Sequence, residues 1–264
     1  MRIPICLLLA AAGPAVAQQA PGSDADLAQQ LANPVASLIQ VPIQNNFEWG
    51  YGLDGEGFRY TANIQPVIPL TISNEWNLIS RTILPVIAQN DVTGPGTSQF
   101  GLGDTVQSLF FSPAKPSASG VVWGAGPVFL LPTATDRALG TEKWGIGPTG
   151  VVLKIDGQWT YGALANHIWS FAGKDNRGDI SATFVQPFIA YTTRTATTWA
   201  VQTETTYDWL GDSWSVPVAG AVSQLVKVGN QPISIGVAGR YWLASPTGGP
   251  DWGLRFTVTA LFPK

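Results

Sequence analysis

From Ile39 to the end of the chain, apolar and polar residues alternate with a period of two, the spacing that sends successive side chains to opposite faces of a strand. The pattern predicts twelve strands, at 39–50, 58–70, 76–89, 100–112, 120–132, 144–155, 158–171, 180–193, 197–209, 214–228, 232–244 and 251–262. The last is the clearest: Trp252, Leu254, Phe256, Val258, Ala260 and Phe262 share one face, and Asp251, Gly253, Arg255, Thr257 and Thr259 the other. The segment 197–209 sets Trp199, Val201, Thr203, Tyr207 and Trp209 against Gln202, Glu204, Thr206 and Asp208. In 58–70, Phe58, Tyr60, Ala62, Ile64 and Ile68 oppose Arg59, Thr61, Asn63 and Gln65. Before Ile39 the pattern differs. Leu27, Leu31, Val35 and Leu38 recur at roughly helical spacing between Asp24 and Leu38, and Pro34 interrupts them, so a short helix followed by an extended entry is expected.

A soluble sandwich would turn its apolar face inward. Here the apolar faces carry large aromatics at their ends: Trp49, Trp76, Trp144, Trp159, Trp169, Trp199, Trp209, Trp214, Trp242 and Trp252 all fall near an expected strand end. Tryptophan favours the membrane–water boundary, where its ring is apolar and its N–H finds a partner. Connection lengths agree. The odd-numbered connections average about eight residues and the even ones about four, as when both termini are periplasmic and the outer loops are longer. The expected fold is therefore all-β: an up-and-down antiparallel transmembrane β-barrel of about 12 strands with a short N-terminal helical segment. Proline recurs inside the strands, at Pro66, Pro69, Pro85, Pro127, Pro132, Pro187 and Pro217, and predicts bulges, because it brings no N–H to the ladder.

Composition sharpens this. Charged residues make up 12% of 264, about half the share usual in soluble domains. Gly (29) and Trp (11) are abundant, and a net charge of -3 argues against a nucleic-acid partner. At the start, Arg2 precedes an apolar run from Ile3 to Ala12, and Ala15-Val16-Ala17 precedes Gln18. The run is too short to span as a helix and reads as a cleaved export leader. The expected division is 1–17 signal peptide, 18–38 polar and helical segment, and 39–264 barrel. Cleavage would remove Cys6, the only cysteine. The expected location is the outer membrane, and the expected partners are outer-membrane lipid, the barrel-assembly machinery and a small solute. Phe262 and the alternation before it suit a final strand read by that machinery, although Pro263 and Lys264 follow it.

Candidate chemistry is sparse. Gly145-Ile146-Gly147-Pro148-Thr149-Gly150 matches a dinucleotide-binding spacing, but Pro148 and the strand from Val151 to Ile155 stand where that motif needs a helix. Trp123-Gly124-Ala125-Gly126-Pro127 and Trp144-Gly145-Ile146-Gly147-Pro148 read instead as two flanks of one hairpin. His167 is the only histidine, which excludes multi-histidine metal sites, and Ser170 lies three residues on, a spacing that puts the two on opposite faces. No cofactor, metal site or catalytic residue is expected. The polar-face charges Glu48, Arg59, Arg81, Asp104, Lys154, Glu204, Asp208, Lys227, Arg240 and Arg255 are the candidate lumen lining. They either pair with one another as filling or line a solute path. Arg59, Arg81, Arg240 and Arg255 are expected along one wall, with Glu204 and Asp208 nearer the opposite side.

Ile43-Gln44-Asn45-Asn46-Phe47, Asn63 to Pro69, Phe100-Gly101-Leu102-Gly103-Asp104, Leu131 to Asp136 and Ala163 to Ser170 together resemble a bacterial family labelled "transporter" and grouped with the phenol-degradation meta-pathway outer-membrane proteins. The resemblance implies an outer-membrane barrel and brings no catalytic residues. The favoured function is a channel or facilitator for small solutes, aromatic or hydrophobic ones among them. A closed structural or interaction barrel, a barrel lipid hydrolase and a soluble secreted β-protein stay open as alternatives.

Overall fold

The computed structural model describes residues 23–263; the expected leader at 1–17, with its cleavage site and Cys6, lies outside the described residues. Sixteen hydrogen-bonded segments build twelve staves. The first half of the barrel is β1 (Ile39–Tyr51), β2 (Gly57–Ile64) with β3 (Val67–Thr71), β4 (Trp76–Asn90), β5 (Ser98–Leu102) with β6 (Thr105–Pro113), β7 (Val121–Leu131) and β8 (Lys143–Asp156). The second half is β9 (Trp159–Gly173), β10 (Ser181–Thr192), β11 (Thr197–Thr203) with β12 (Thr205–Asp208), β13 (Ser213–Ser215) with β14 (Pro217–Val228), β15 (Gln231–Trp242) and β16 (Trp252–Phe262). Every stave pairs antiparallel with its neighbours in sequence. The wall closes where β16 meets β1, from Ile39 opposite Phe262 to Trp49 opposite Trp252. Closure removes the sheet edges, so every stave finds partners on both sides.

Four staves are interrupted. One break falls at Gln65-Pro66; others fall at Gly103-Asp104, at Glu204 and at Val216. Proline explains two of them directly. Pro66 cannot donate to the ladder, and Pro217, opposite Glu204, returns no N–H to it, leaving only the bond from Glu204 N to the Pro217 carbonyl at 3.3 Å. Pro127 and Pro148 face each other across β7 and β8, the two glycine-rich flanks of one hairpin, as their sequences suggest. The side of β8 next to β9 is unpaired between Ile146 and Thr149, where Gly147 lies so close to the His167 carbonyl that a side chain would not fit.

The outer surface is apolar. Trp144, Trp159, Trp169, Trp199, Trp209, Trp214 and Trp252 are exposed, as are Ile43, Val152, Val201, Val237, Leu254 and Phe256 between them. Trp49 stacks on Trp252 at 4.4 Å near the end opposite the chain termini, and Trp76 meets Trp123 edge-on at 5.9 Å near the terminal end. These rings form the two girdles. Trp242 is an exception among the tryptophans expected there: it is buried and turned inward, its indole N–H donating to Ser215 Oγ at 3.2 Å.

The helical expectation narrows to α1 (Asp24–Leu31), which Ser23 and Asp26 close with a reciprocal capping box. Leu27 and Ala28 pack with Ala36, Leu38, Ala196, Leu225 and Leu261 at the terminal end of the barrel. Gln29 donates to the Gly157 carbonyl at 2.8 Å, while Lys227 pairs with Asp24 at 2.6 Å, so α1 bridges β14 and the turn between β8 and β9. Residues 32–38 continue inside, where Val35 packs with Val67, Ile79, Phe110, Val151, Leu153 and Leu164. The helix is short and could not persist alone in water; burial of this apolar side holds it.

Candidate functional site

The interior is polar toward the far end and apolar toward the termini, with a cavity between. In the far half the charged side chains form one lattice. Arg255 grips Glu204 with both terminal nitrogens, at 2.7 and 2.9 Å, and its Nε donates to Asn46 Oδ1 at 2.6 Å. Arg240 donates to Glu204 at 3.0 Å, pairs with Glu48 through its other terminal nitrogen, and lies 4.6 Å over the Trp242 ring. Tyr51 donates its hydroxyl to Glu48 at 2.7 Å. Arg59 lies 4.4 Å over the Tyr51 ring and donates to Gln89 Oε1 at 2.8 Å; Gln89 in turn donates to Gln99 at 2.7 Å. The interruption of the ninth stave at Glu204 puts a carboxylate where two arginines of β15 and β16 need one. Bidentate arginine–carboxylate pairs of this kind are geometrically fixed as well as charged.

The expected separation of arginines from acids is therefore corrected: Glu204 sits among them, because buried charges must be paired. Four other candidates leave the lumen lining. Asp104 caps the connection 132–142, accepting from Ala134 N at 3.2 Å and from Thr141 N and Oγ1 at 2.6 Å. Asp208 accepts from the amides of Leu210 and Gly211 in the turn after β12. Lys227 stands at the rim with Asp24. Lys154 shares the outward phase of Val152, since Leu153 between them is buried, and it pairs at the rim with Asp156 at 3.8 Å. Glu48, Arg59, Arg81, Glu204, Arg240 and Arg255 remain on the inner side.

Sequence reasoning missed the neutral partners. Asn46, Gln65 and Gln89 are buried acceptors for the arginines, and Gln44, Gln186 and Gln202 extend the amide chain. Their signal was present in the alternation for all but Gln186, because Gln44, Asn46, Gln65, Gln89 and Gln202 each lie in phase with a charged residue on their own stave, whereas β10 carries no charge; counting charges alone passed over them. Lys143, also missed, is buried and pairs with Asp179 at 2.9 Å.

Below the lattice is a cavity of about 270 Å³. Ala28, Leu31, Ala32 and Pro34 of the N-terminal segment form its floor, and Val67, Leu164 and Phe188 form apolar wall. Gln44, Gln65, Arg81, Gln186, Gln202 and Arg255 supply polar atoms. On the outside, against the same wall, lies an apolar groove of about 590 Å³ between Trp159, Tyr191, Trp199 and Leu254. Ala200, Ala221 and Ala238, in register across β11, β14 and β15, border both spaces. Gly220 pairs with Gly239 beside them, and nothing lies near where either could carry a side chain. At these five positions no side chain is larger than a methyl group.

His167 points outward. Its Nδ1 lies 2.7 Å from Thr183 Oγ1, its ring lies 4.0 Å from Trp169, and Ser181 Oγ is 3.4 Å from Nε2. Ser170 turns away to Asp179 and the Ile180 amide. The far-end connections clasp each other: Glu142 pairs with Lys174 and Arg177, and Arg177 donates to the carbonyls of Arg137, Gly140 and Thr141. The hydrogen bond from Lys174 holds the Glu142 carboxyl below its ordinary range, and that from Lys143 does the same for Asp179.

No family model matches the chain, and no curated protein sequence does so either. Among solved structures it is similar to an outer-membrane channel from Pseudomonas putida F1, with 12% identity over 95% of this chain and 100% of that one and a TM-score of 0.68. The outer-membrane phospholipase A of Escherichia coli matches at 9% identity over 86% of this chain and 90% of its own, with a TM-score of 0.49. A Salmonella typhi outer-membrane phospholipase dimer with bound calcium matches at 12% over 91% and 97%, with a TM-score of 0.47. The first likeness is one of fold, a closed antiparallel β-barrel, which this chain builds from twelve staves.

Proposed function

We propose that the protein is an outer-membrane facilitator for small apolar solutes, exported with a leader at 1–17 and inserted by the barrel-assembly machinery. The observation that carries this reading is the pairing of spaces across one wall: an apolar-floored cavity inside and an apolar groove outside, both bordered by Ala200, Ala221 and Ala238. An ordinary aqueous pore would keep an open polar axis. Here α1 and residues 32–38 floor the cavity, and the arginine–glutamate lattice caps it. A solute in the groove lies among Trp159, Tyr191, Trp199 and Leu254, and between it and the cavity stands the paired backbone of β11, β14 and β15, with small residues at Ala200, Gly220, Ala221, Ala238 and Gly239. The grouping with phenol meta-pathway proteins rests on the sequence resemblance and would place monoaromatic compounds among the solutes.

The test is entry of labelled toluene into Gram-negative cells with and without the protein, since the outer leaflet is the barrier such solutes face. Faster entry with the wild-type protein is expected, and Gly239→Trp should return it to the background rate. Equal entry in all three strains overturns the facilitator reading in favour of a closed barrel. In planar bilayers the wild type should conduct weakly, and removal of residues 24–38 should raise that conductance.

One observation favours a second reading. Ser181 lies beside His167 on the outer face, where a serine–histidine pair would meet lipid esters. Against it, Nδ1 faces the Thr183 hydroxyl rather than a carboxylate, and Trp209 Nε1 also donates to that hydroxyl at 2.8 Å. Hydrolysis of phospholipid by wild type and not by Ser181→Ala would establish it.

A further inference from the structure

The inner side of the barrel carries more arginines than carboxylates. Four arginines, Arg59, Arg81, Arg240 and Arg255, share the inner side with two glutamates, Glu48 and Glu204. Arg240 and Arg255 take both carboxylates. Arg59 is occupied between the Tyr51 ring and Gln89. Arg81 differs. It projects from β4 into the cavity at mid-barrel and donates to Gln65 Oε1 at 3.1 Å, and among the described residues no carboxylate lies within ion-pair distance of it. Gln65 is itself engaged with Gln44 at 2.8 Å. A guanidinium has five N–H donors, and one placed away from bulk water is costly until an anion meets it.

The other walls complete the description of a ligand. Beside the polar groups, Val67 next to Arg81 across β3 and β4, Leu164 next to Gln186 across β9 and β10, and Leu31 and Phe188 offer apolar surface, and the volume of about 270 Å³ suits a small molecule. We propose that Arg81 is the anchor for a carboxylate carried on a small apolar body, so that the cavity selects amphipathic acids over their neutral counterparts. This rests on the facilitator reading and names its substrate class. A carboxylate fits a guanidinium through two parallel hydrogen bonds, which a hydroxyl cannot reproduce, so the charged head would fix the orientation while the apolar body lies over the N-terminal floor.

The experiment uses the refolded full barrel in detergent and compares hexanoate with hexan-1-ol by calorimetry and saturation-transfer NMR. Wild type should bind hexanoate at least tenfold more tightly than the alcohol. Arg81→Gln should remove that preference and leave the alcohol's affinity unchanged, and Arg81→Lys should restore part of it. Heat-modifiable gel migration shows that each variant is folded, and Lys154→Gln, an outward rim charge away from the cavity and from α1, should bind as wild type does. Lowering the pH until hexanoate is protonated should abolish the preference in wild type alone. Equal binding of acid and alcohol by wild type, or hexanoate binding untouched in Arg81→Gln, overturns the anchor and leaves the facilitator reading standing. Binding of neither ligand overturns both.

Discussion

The two halves of the interior solve one packing problem by different chemistry. Toward the far end, the space is filled by charges that satisfy each other: Glu204 with Arg240 and Arg255, and Glu48 with Arg240 and Tyr51. Toward the termini, it is filled by Val67, Ile79, Phe110, Leu153 and Leu164, with Val35 of the N-terminal segment packed among them. The difference follows from what each half must exclude. Long arginines reach across a lumen and hold acids in fixed geometry, which gives a rigid polar cap. The apolar half needs a partner surface, and the chain supplies one from its own N-terminus.

The contrast predicts losses of similar size from unlike causes. Glu204→Ala leaves Arg255 with Asn46 as its remaining side-chain acceptor and should cost about 3–5 kcal/mol, the range for a buried pair broken on one side. Phe110→Ala empties a fully buried site and should also cost about 3–5 kcal/mol. Urea unfolding in lipid vesicles measures both. A cost for Glu204→Ala below about 1 kcal/mol would mean that the far half is solvated like a surface and the two halves do not differ as described.

Next in size is the contrast between inside and outside. Val258 lies opposite Ile43 on the outward face, whereas Thr257 lines the cavity. Val258→Arg should cost about 2–4 kcal/mol near the bilayer midplane and Thr257→Arg much less. Equal costs would mean that the alternation of the last stave is misassigned. Smaller still, Ser23→Ala removes one arm of the α1 capping box and should cost about 1 kcal/mol, read as faster amide exchange confined to α1.

The smallest effect is at the far-end clasp. Glu142 and Asp179 both titrate below their ordinary values because lysines hold their charged forms. Groups with lowered folded values contribute stability above their unfolded values and lose it as pH falls through the folded ones. Amide exchange across 132–142 and 174–180 should therefore be steady at neutral pH and accelerate only below the usual carboxylate range. Acceleration near neutral pH would point to a different tie.

The wall was legible in the sequence, and the interior less so. Alternation is a local property: a strand turns successive side chains to opposite faces whatever surrounds it, so the twelve staves from Ile39 onward and the girdle tryptophans could be read directly. The segment Val151-Val152-Leu153 shows where this stops. With apolar residues on both phases the alternation loses its sign, and Lys154 was placed inside although the burial of Leu153 puts it out. Trp242 fell correctly at a stave end but on the inner phase, where Ser215 receives its N–H. Glu48, Arg59, Arg81, Glu204, Arg240 and Arg255 lie on the inner side, and their partners were not readable, because Glu204 meets Arg240 and Arg255 across 36 and 51 residues of chain. By itself, the sequence determined the strand period, the outward aromatic belts and a helical start before the barrel. Barrel closure alone decided which charges meet, that Arg81 makes no contact ion pair, and that the N-terminal segment floors a cavity, since each depends on which staves face one another across the lumen.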